Sequence, residues 1–413
     1  MEQAAQKANR PPPFRQMAPR PLGLHLATAM TGLSGAAAAV PLALSGGLPW
    51  HPSLKDEAGD LLEEMRRAGE PVMSAAVWNR AHAILGDMMT GIRLYQDHPY
   101  VRRLDPPGTV WSQGSAKLFD YGGGGRPVLF VPSLVNRGYV LDLEADNSLL
   151  RWLSERGGVR PLLLDWGAPG DRERAFGLGD YVTGPLAEAL EAAGGIAGAP
   201  VPLVGYCMGG TLVTAAAQLF PERVAALGLL AAPWDFHAEI SAPAKMFAST
   251  VPTWRPVLDA FGEMPLDLLQ SFFAALDPGL AQRKFSAFAT MDQDSAAARH
   301  FVALEDWLND GVPLTARVAL ETLGGWFGEN HPATGHWLVG GRVIDPAEVR
   351  CPAFVAIPSS DRIVPPPSAR ALAARLPDAE VIEPRAGHIG MVVGSKALDG
   401  LWRPLETWLT SRS

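Results

Sequence analysis

The sequence predicts an α/β protein built on a doubly wound, mostly parallel sheet, with a helical cap insertion and an N-terminal helical extension. Three observations carry that expectation. Short apolar runs recur after residue 125, helical stretches separate most of them, and one segment of more than a hundred residues interrupts the rhythm. Strands buried on both faces read as continuous apolar runs, and their alternation with helices implies a parallel sheet covered on each side.

Residues 1–50 form a Pro-rich leader and an uncharged Ala/Gly/Leu segment. The stretch Met1–Arg20 carries Lys7, Arg10, Arg15 and Arg20, and "TGLSGAAAAVPLALSGGL" follows within Leu22–Leu48. A basic start before an apolar run also suits an export signal. Glycines and Pro41 make the run too weakly hydrophobic for a good membrane span. The preferred reading is a disordered leader, then a helix packed on the main domain. Residues 51–120 are assigned to an N-terminal helical region. There "DEAGDLLEEMRRAG" and "SAAVWNRAHAILGDMMTGIRLYQ" place apolar residues at three- and four-residue steps.

The sheet is expected in residues 121–236 and 345–413. Its strands are "RPVLFVPS" (126–133), "RPLLLDWG" (160–167), "VPLVGY" (201–206), "VAALGLLAAP" (224–233), "CPAFVAIPSSD" (351–361) and "AEVIEPRAG" (379–387). Helices are expected over Asn147–Arg156, Asp180–Ala193, Gly210–Phe220 and Ser368–Leu376. Residues 237–344, rich in Trp, Phe, Met and Pro, are read as the cap.

The most informative line is "VPLVGYCMGGTLVTAAAQLF". An apolar strand runs into Gly-Tyr-Cys-Met-Gly-Gly and a helix starts at once. This is the nucleophile-elbow pattern of the α/β-hydrolase fold, with Cys207 where a serine is usual. The glycines allow a strained turn between strand and helix, and the helix N-terminus favours negative charge on the thiol. In that fold the acid and then the histidine follow the nucleophile. Asp361 in "AIPSSDRIVPP" and His388 in "PRAGHIGMVVG" lie just beyond later strands, where α/β sheets place their sites. Cys207 is therefore the expected nucleophile, His388 its base and Asp361 the acid. An oxyanion hole needs backbone N–H groups. Met208, next to the nucleophile, is the expected first donor, and the loop after "VLFVPS" supplies the second from Leu134 or Val135. Arg137 suits either a phosphate or open solvent, whereas Asp165 and Trp166 read as structural.

The net charge of −8 argues against nucleic acid, since phosphate contacts need clustered cations. Two cysteines in 413 residues are no disulfide scaffold and fit a reducing cytoplasm. No metal-ligand cluster, Rossmann fingerprint or P-loop occurs.

From about residue 125 to 411 the chain resembles polyhydroxyalkanoate synthases, most closely the short catalytic subunits of the class that pairs with a second subunit. "LVNRGYVLDLE", "LLDWGAPG", "GYCMGGTL", "PWDF", "FVALEDWLNDG", "GGRVID", "DRIVPP" and "GHIGMVVG" carry the likeness. The resemblance implies an acyltransferase that polymerises (R)-3-hydroxyacyl groups from coenzyme A thioesters through a covalent thioester. Cys207, His388 and Asp361 match its triad. It implies no cofactor beyond the coenzyme A thioester as substrate. The implied partners are hydroxyacyl-CoA, the growing polyester chain, a second synthase subunit or granule proteins, and a second copy of the chain. The implied location is the cytoplasm, at polyester granules. A cysteine hydrolase acting on polymer, ester or acyl-CoA would keep the same triad, and an inactive granule-associated protein is the third alternative.

Overall fold

The computed structural model describes residues 12–50, 52–239 and 242–411, so the first eleven residues of the Pro-rich leader lie outside the described residues. The chain divides into two units. One comprises residues 1–101 and 277–305, the other residues 102–276 and 306–413.

The first unit is helical. Helices Leu22–Ala38, Lys55–Ala68 and Glu70–Asp97 answer the expected N-terminal pattern, the last opened by Pro71 where its missing N–H costs nothing. Met88, Ile92 and Tyr95 of the long helix pack with Ala29, and with Phe285 and Phe288 of the helix Leu280–Phe288. Phe288 stacks on Phe301 with ring centroids 4.2 Å apart. Arg15 is fully buried, yet its guanidinium is satisfied. It donates to the His98 and Tyr100 carbonyls at 2.7 and 2.9 Å and lies over the Tyr95 ring. Among the described residues no helix is long and apolar enough to cross a membrane.

The second unit is the α/β body. Its sheet strands are β1 (Gly108–Gln113), β2 (Ala116–Asp120), β3 (Arg126–Val131), β4 (Val159–Asp165), β5 (Val201–Tyr206), β6 (Val224–Leu230), β7 (Ala353–Ala356) and β8 (Ala379–Ile382). Their order is β1-β2-β4-β3-β5-β6-β7-β8. Pairing is antiparallel for β1–β2 and β2–β4, and parallel everywhere else. All six expected strands are present. The central ones are almost wholly buried, β5 at every residue, whereas the edge strand β1 is largely exposed. Helices Leu149–Arg156, Ala187–Ala197, Met208–Leu219 and Pro366–Ala373 cover the faces.

Three expectations need correction. The leader, read as disordered, is ordered from Pro13, where the 3-10 helix Pro13–Met17 buries Arg15. The helical reading of 51–120 fails after Asp97, because residues 108–120 form the β1–β2 hairpin. Its β-branched and aromatic residues (Thr109, Val110, Trp111, Phe119) favour a pleated surface, and Gly114 takes φ +56° at the turn. The insertion 237–344 is not one body either. Its segment 277–305 packs in the helical unit through Phe285, Phe288 and Val302, and the remainder packs in the sheet unit.

Within the sheet unit, the insertion is tied down at two places. Asn330, in the left-handed region at φ +57°, donates to Asp235 at 2.8 Å and accepts from the Phe236 N–H at 2.9 Å. Earlier in the insertion, Val312 N–H donates to the Val135 carbonyl at 3.2 Å, and the Trp307 indole donates to the Arg137 carbonyl at 2.6 Å. These bonds fasten the insertion to the loop that follows β3.

Candidate active site

Cys207 sits between β5 and the helix Met208–Leu219, with φ 56° and ψ −129°. A non-glycine residue held there is strained by about 1–3 kcal/mol, so the surroundings must over-determine it. They do so through backbone bonds. Cys207 N–H donates to the Leu230 carbonyl at the end of β6, and its own carbonyl accepts from Gly210 N–H, both at 2.8 Å. Close packing explains the glycines on either side. A Cβ on Gly209 would fall 2.1 Å from the Val131 carbonyl oxygen, and one on Gly205 would fall 2.5 Å from Gly210 Cα. The helix N-terminus therefore presses directly on the end of β3.

Asp361 and His388 arrive from the next two strands. Backbone pairing between β7 and β8 continues past the strands, with Ile357, Ser359 and Ser360 N–H donating to the Ile382, Pro384 and Ala386 carbonyls at 2.9–3.0 Å. This zipper sets the acid loop against the base loop. His388 Nδ1 then donates to Asp361 Oδ2 at 2.7 Å. The other carboxylate oxygen accepts from Ile363 and Val364 N–H at 2.8 and 2.9 Å, so the carboxylate cannot turn without breaking those bonds.

Both side chains are buried, and Cys207 is partly exposed. Burial by itself would lower the His388 pKa. The Asp361 charge, the neighbouring Cys207 and hydrogen bonds to both of them outweigh it and hold the value up at about 10. With Nδ1 committed to Asp361, Nε2 is the nitrogen left for the thiol. All three expected residues thus converge, although they come from three separate loops.

The loop after β3 lies beside the elbow. Ser133 Oγ points to Met208 Sδ at 3.8 Å, and the Trp166 indole holds the Pro132 carbonyl at 3.0 Å. Met208 is the first residue of its helix, where the backbone N–H has no partner inside the helix. Val135 differs from the expectation of an open donor. Its N–H donates to Ser133 Oγ at 3.1 Å, because a hydroxyl two residues back can fold over to satisfy it. Arg137 pairs with Asp310 at 3.3 Å. Asp165 accepts from Gly167 N–H at 3.1 Å, a turn role. Among the described residues no three His, Cys, Asp or Glu side chains converge on a metal position.

Sequence reasoning passed over Tyr206. It precedes the nucleophile, and its ring lies 5.2 Å from the His388 ring at a 34° tilt. The signal was available: the last residue of a buried strand next to a strained turn must face something in the site. The sequence does not say what.

Residues 126–395 match the family model described as the alpha/beta hydrolase fold. The poly(3-hydroxyalkanoate) polymerase subunit PhaC of Haloferax mediterranei is 31% identical over 70% of this chain and 59% of its own length. Its counterpart from Haloarcula marismortui is 28% identical over 70% of this chain and 61% of its own length. That of Synechocystis sp. is 30% identical over 69% of this chain and 78% of its own length. The chain thus spans about three fifths of the first two relatives and over three quarters of the third. By these matches and by its strand order, the chain belongs to the poly(3-hydroxyalkanoate) polymerase PhaC family, on the alpha/beta hydrolase fold.

Proposed function

We propose that this chain is an acyltransferase that polymerises (R)-3-hydroxyacyl groups from coenzyme A thioesters, with Cys207 as nucleophile, His388 as base and Asp361 as the residue that orients the base. The observation that carries the reading is the strained, partly exposed Cys207 at the elbow, beside a buried imidazole that Asp361 fixes from behind. Membership of a family whose relatives are named poly(3-hydroxyalkanoate) polymerase supplies the substrate class.

His388 takes the Cys207 thiol proton, and its raised pKa favours the resulting thiolate–imidazolium pair. The thiolate attacks the thioester carbonyl, and the oxyanion is met by Met208 N–H and by Leu134 N–H of the loop after β3. The C–S bond to coenzyme A breaks, and the leaving thiolate takes the proton from His388. Thioester exchange is close to thermoneutral, so the acyl group stays activated on Cys207. A hydroxyl of another unit then attacks it, His388 takes the hydroxyl proton, and the new ester leaves Cys207 to regain that proton. No cofactor enters this scheme. The word "subunit" in the relatives' names supports a partner chain, and a polyester product supports a location at polyester granules.

The test is incubation of the full chain with 3-hydroxybutyryl-CoA, following coenzyme A release and product size. Polymer from the wild type and none from Cys207→Ala is the expected result. Free 3-hydroxybutyrate as sole product would make the protein a hydrolase. No coenzyme A release, with and without candidate partner subunits, would overturn catalysis on this substrate altogether.

A further inference from the structure

We propose that Tyr206 is a positioning residue for His388: its ring backs the imidazole and its hydroxyl ties the His388 backbone, so that Nε2 stays aimed at Cys207. The inference rests on the reading of His388 as the base. Three observations on the second unit support it.

The first is ring geometry. Tyr206 and His388 lie 5.2 Å apart between centroids with a 34° tilt, a tilted ring contact that limits the room for the imidazole to rotate about its Cβ–Cγ bond. The second is the hydroxyl, which donates to the His388 carbonyl oxygen across 3.4 Å, a long bond to the backbone of the residue whose side chain must be held. The third is placement. Tyr206 is the last residue of β5 and Cys207 follows it directly, so one strand end sets both the nucleophile and the backing of its base.

Asp361 alone leaves a freedom that Tyr206 removes. A single Nδ1–Oδ2 bond fixes one ring atom but lets the imidazole swing about that bond and carry Nε2 off the thiol. A flat group beside the ring blocks the swing. The phenol is suited to a buried post because it stays neutral. Burial pushes its pKa well above the usual value, and electrostatic interaction with Cys207 and Asp361 pushes it the same way. It is therefore kept as a hydrogen-bond donor.

The experiment compares Tyr206→Phe, Tyr206→Leu and wild type in the full chain with 3-hydroxybutyryl-CoA. Misplacing a catalytic group by about 1 Å can cost on the order of 100-fold. Tyr206→Leu is expected to lower kcat by roughly 10- to 100-fold with KM little changed. It should also broaden or erase the downfield proton NMR signal of the His388 Nδ1–H bonded to Asp361. Tyr206→Phe, which keeps the ring, is expected to retain most of the activity and that signal. Thermal unfolding of each variant separates loss of fold from loss of aim. A folded Tyr206→Leu protein with wild-type kcat and an unchanged Nδ1–H signal would overturn the inference. Equal damage from Phe and Leu would overturn the role given to the ring. His388→Ala, run beside them, keeps the two proposals apart: full activity there would sink the base assignment itself.

Discussion

Asp361 and His388 meet across 2.7 Å, with the carboxylate fully buried and the imidazole 5% exposed. A pair so enclosed links the protonation of one residue to the stability of the whole fold.

The His388 pKa is held up at about 10, against 6.5 when unfolded. Stability from this group is therefore fully present below pH 6.5 and is lost as pH rises toward 10. Unfolding curves taken from pH 6 to 10 should show a steeper loss of Tm for wild type than for His388→Gln. Parallel curves would contradict the assignment. Cys207→Ala should lower the His388 pKa, and Asp361→Asn should lower it too, because each removes a contribution that raises it. Imidazole NMR titrations read both shifts.

Glycine at position 207 should separate strain from chemistry. Cys207→Gly relaxes the φ 56° turn, whereas Cys207→Ala keeps the strain. After allowing for the greater unfolded-state freedom of glycine, Cys207→Gly is expected to be about 1 kcal/mol more stable than Cys207→Ala. Both should be inactive. Denaturant midpoints with equal m-values provide the comparison.

Gly209→Ala puts a methyl group against two carbonyl oxygens, those of Val131 and Pro132, at 2.1 and 2.6 Å. The expected cost is on the order of 3 kcal/mol, since neither backbone can retreat without moving the strand. Any folded fraction should show coenzyme A release reduced beyond the loss of folded protein, because the loop bearing Leu134 and Val135 has shifted.

Asp142 is buried and holds Arg102, Arg151, Ser148 and Tyr121. Removing its charge leaves two guanidinium groups facing each other. Asp142→Ala should lose roughly 3–5 kcal/mol in equilibrium unfolding. A loss under about 1 kcal/mol would mean that solvent reaches the cluster freely.

How much of this was legible in the sequence depended on whether a signal was local. Strands β3 to β7 announce themselves, since a strand covered on both faces has few polar positions to spare. The β1–β2 hairpin does not, because its edge strand is largely exposed and carries a mixed pattern. Cys207, Asp361 and His388 were readable because glycine and proline turns at strand ends are written in the chain. The division of the insertion was not. The helix Leu280–Phe288 shows which of its faces is apolar, but nothing in its spacing says that Met88 and Tyr95 will cover that face. The capture of Val135 N–H by Ser133 was equally silent, being a choice of side-chain rotamer.

The zipper between the acid and base loops has a mechanical corollary. Its bonds from Ile357, Ser359 and Ser360 bind the two proton-handling residues into one ribbon, while the nucleophile hangs from β5, two strands away. The site is thus a hinge of two leaves rather than three loose fingers. A one-residue deletion in either ribbon loop would shear acid from base, whereas a slight slide of the whole ribbon would keep them together and move the imidazole against the β5 end that bears Tyr206 and the thiol. That single coordinate is where selection could tune the reaction without remaking the site.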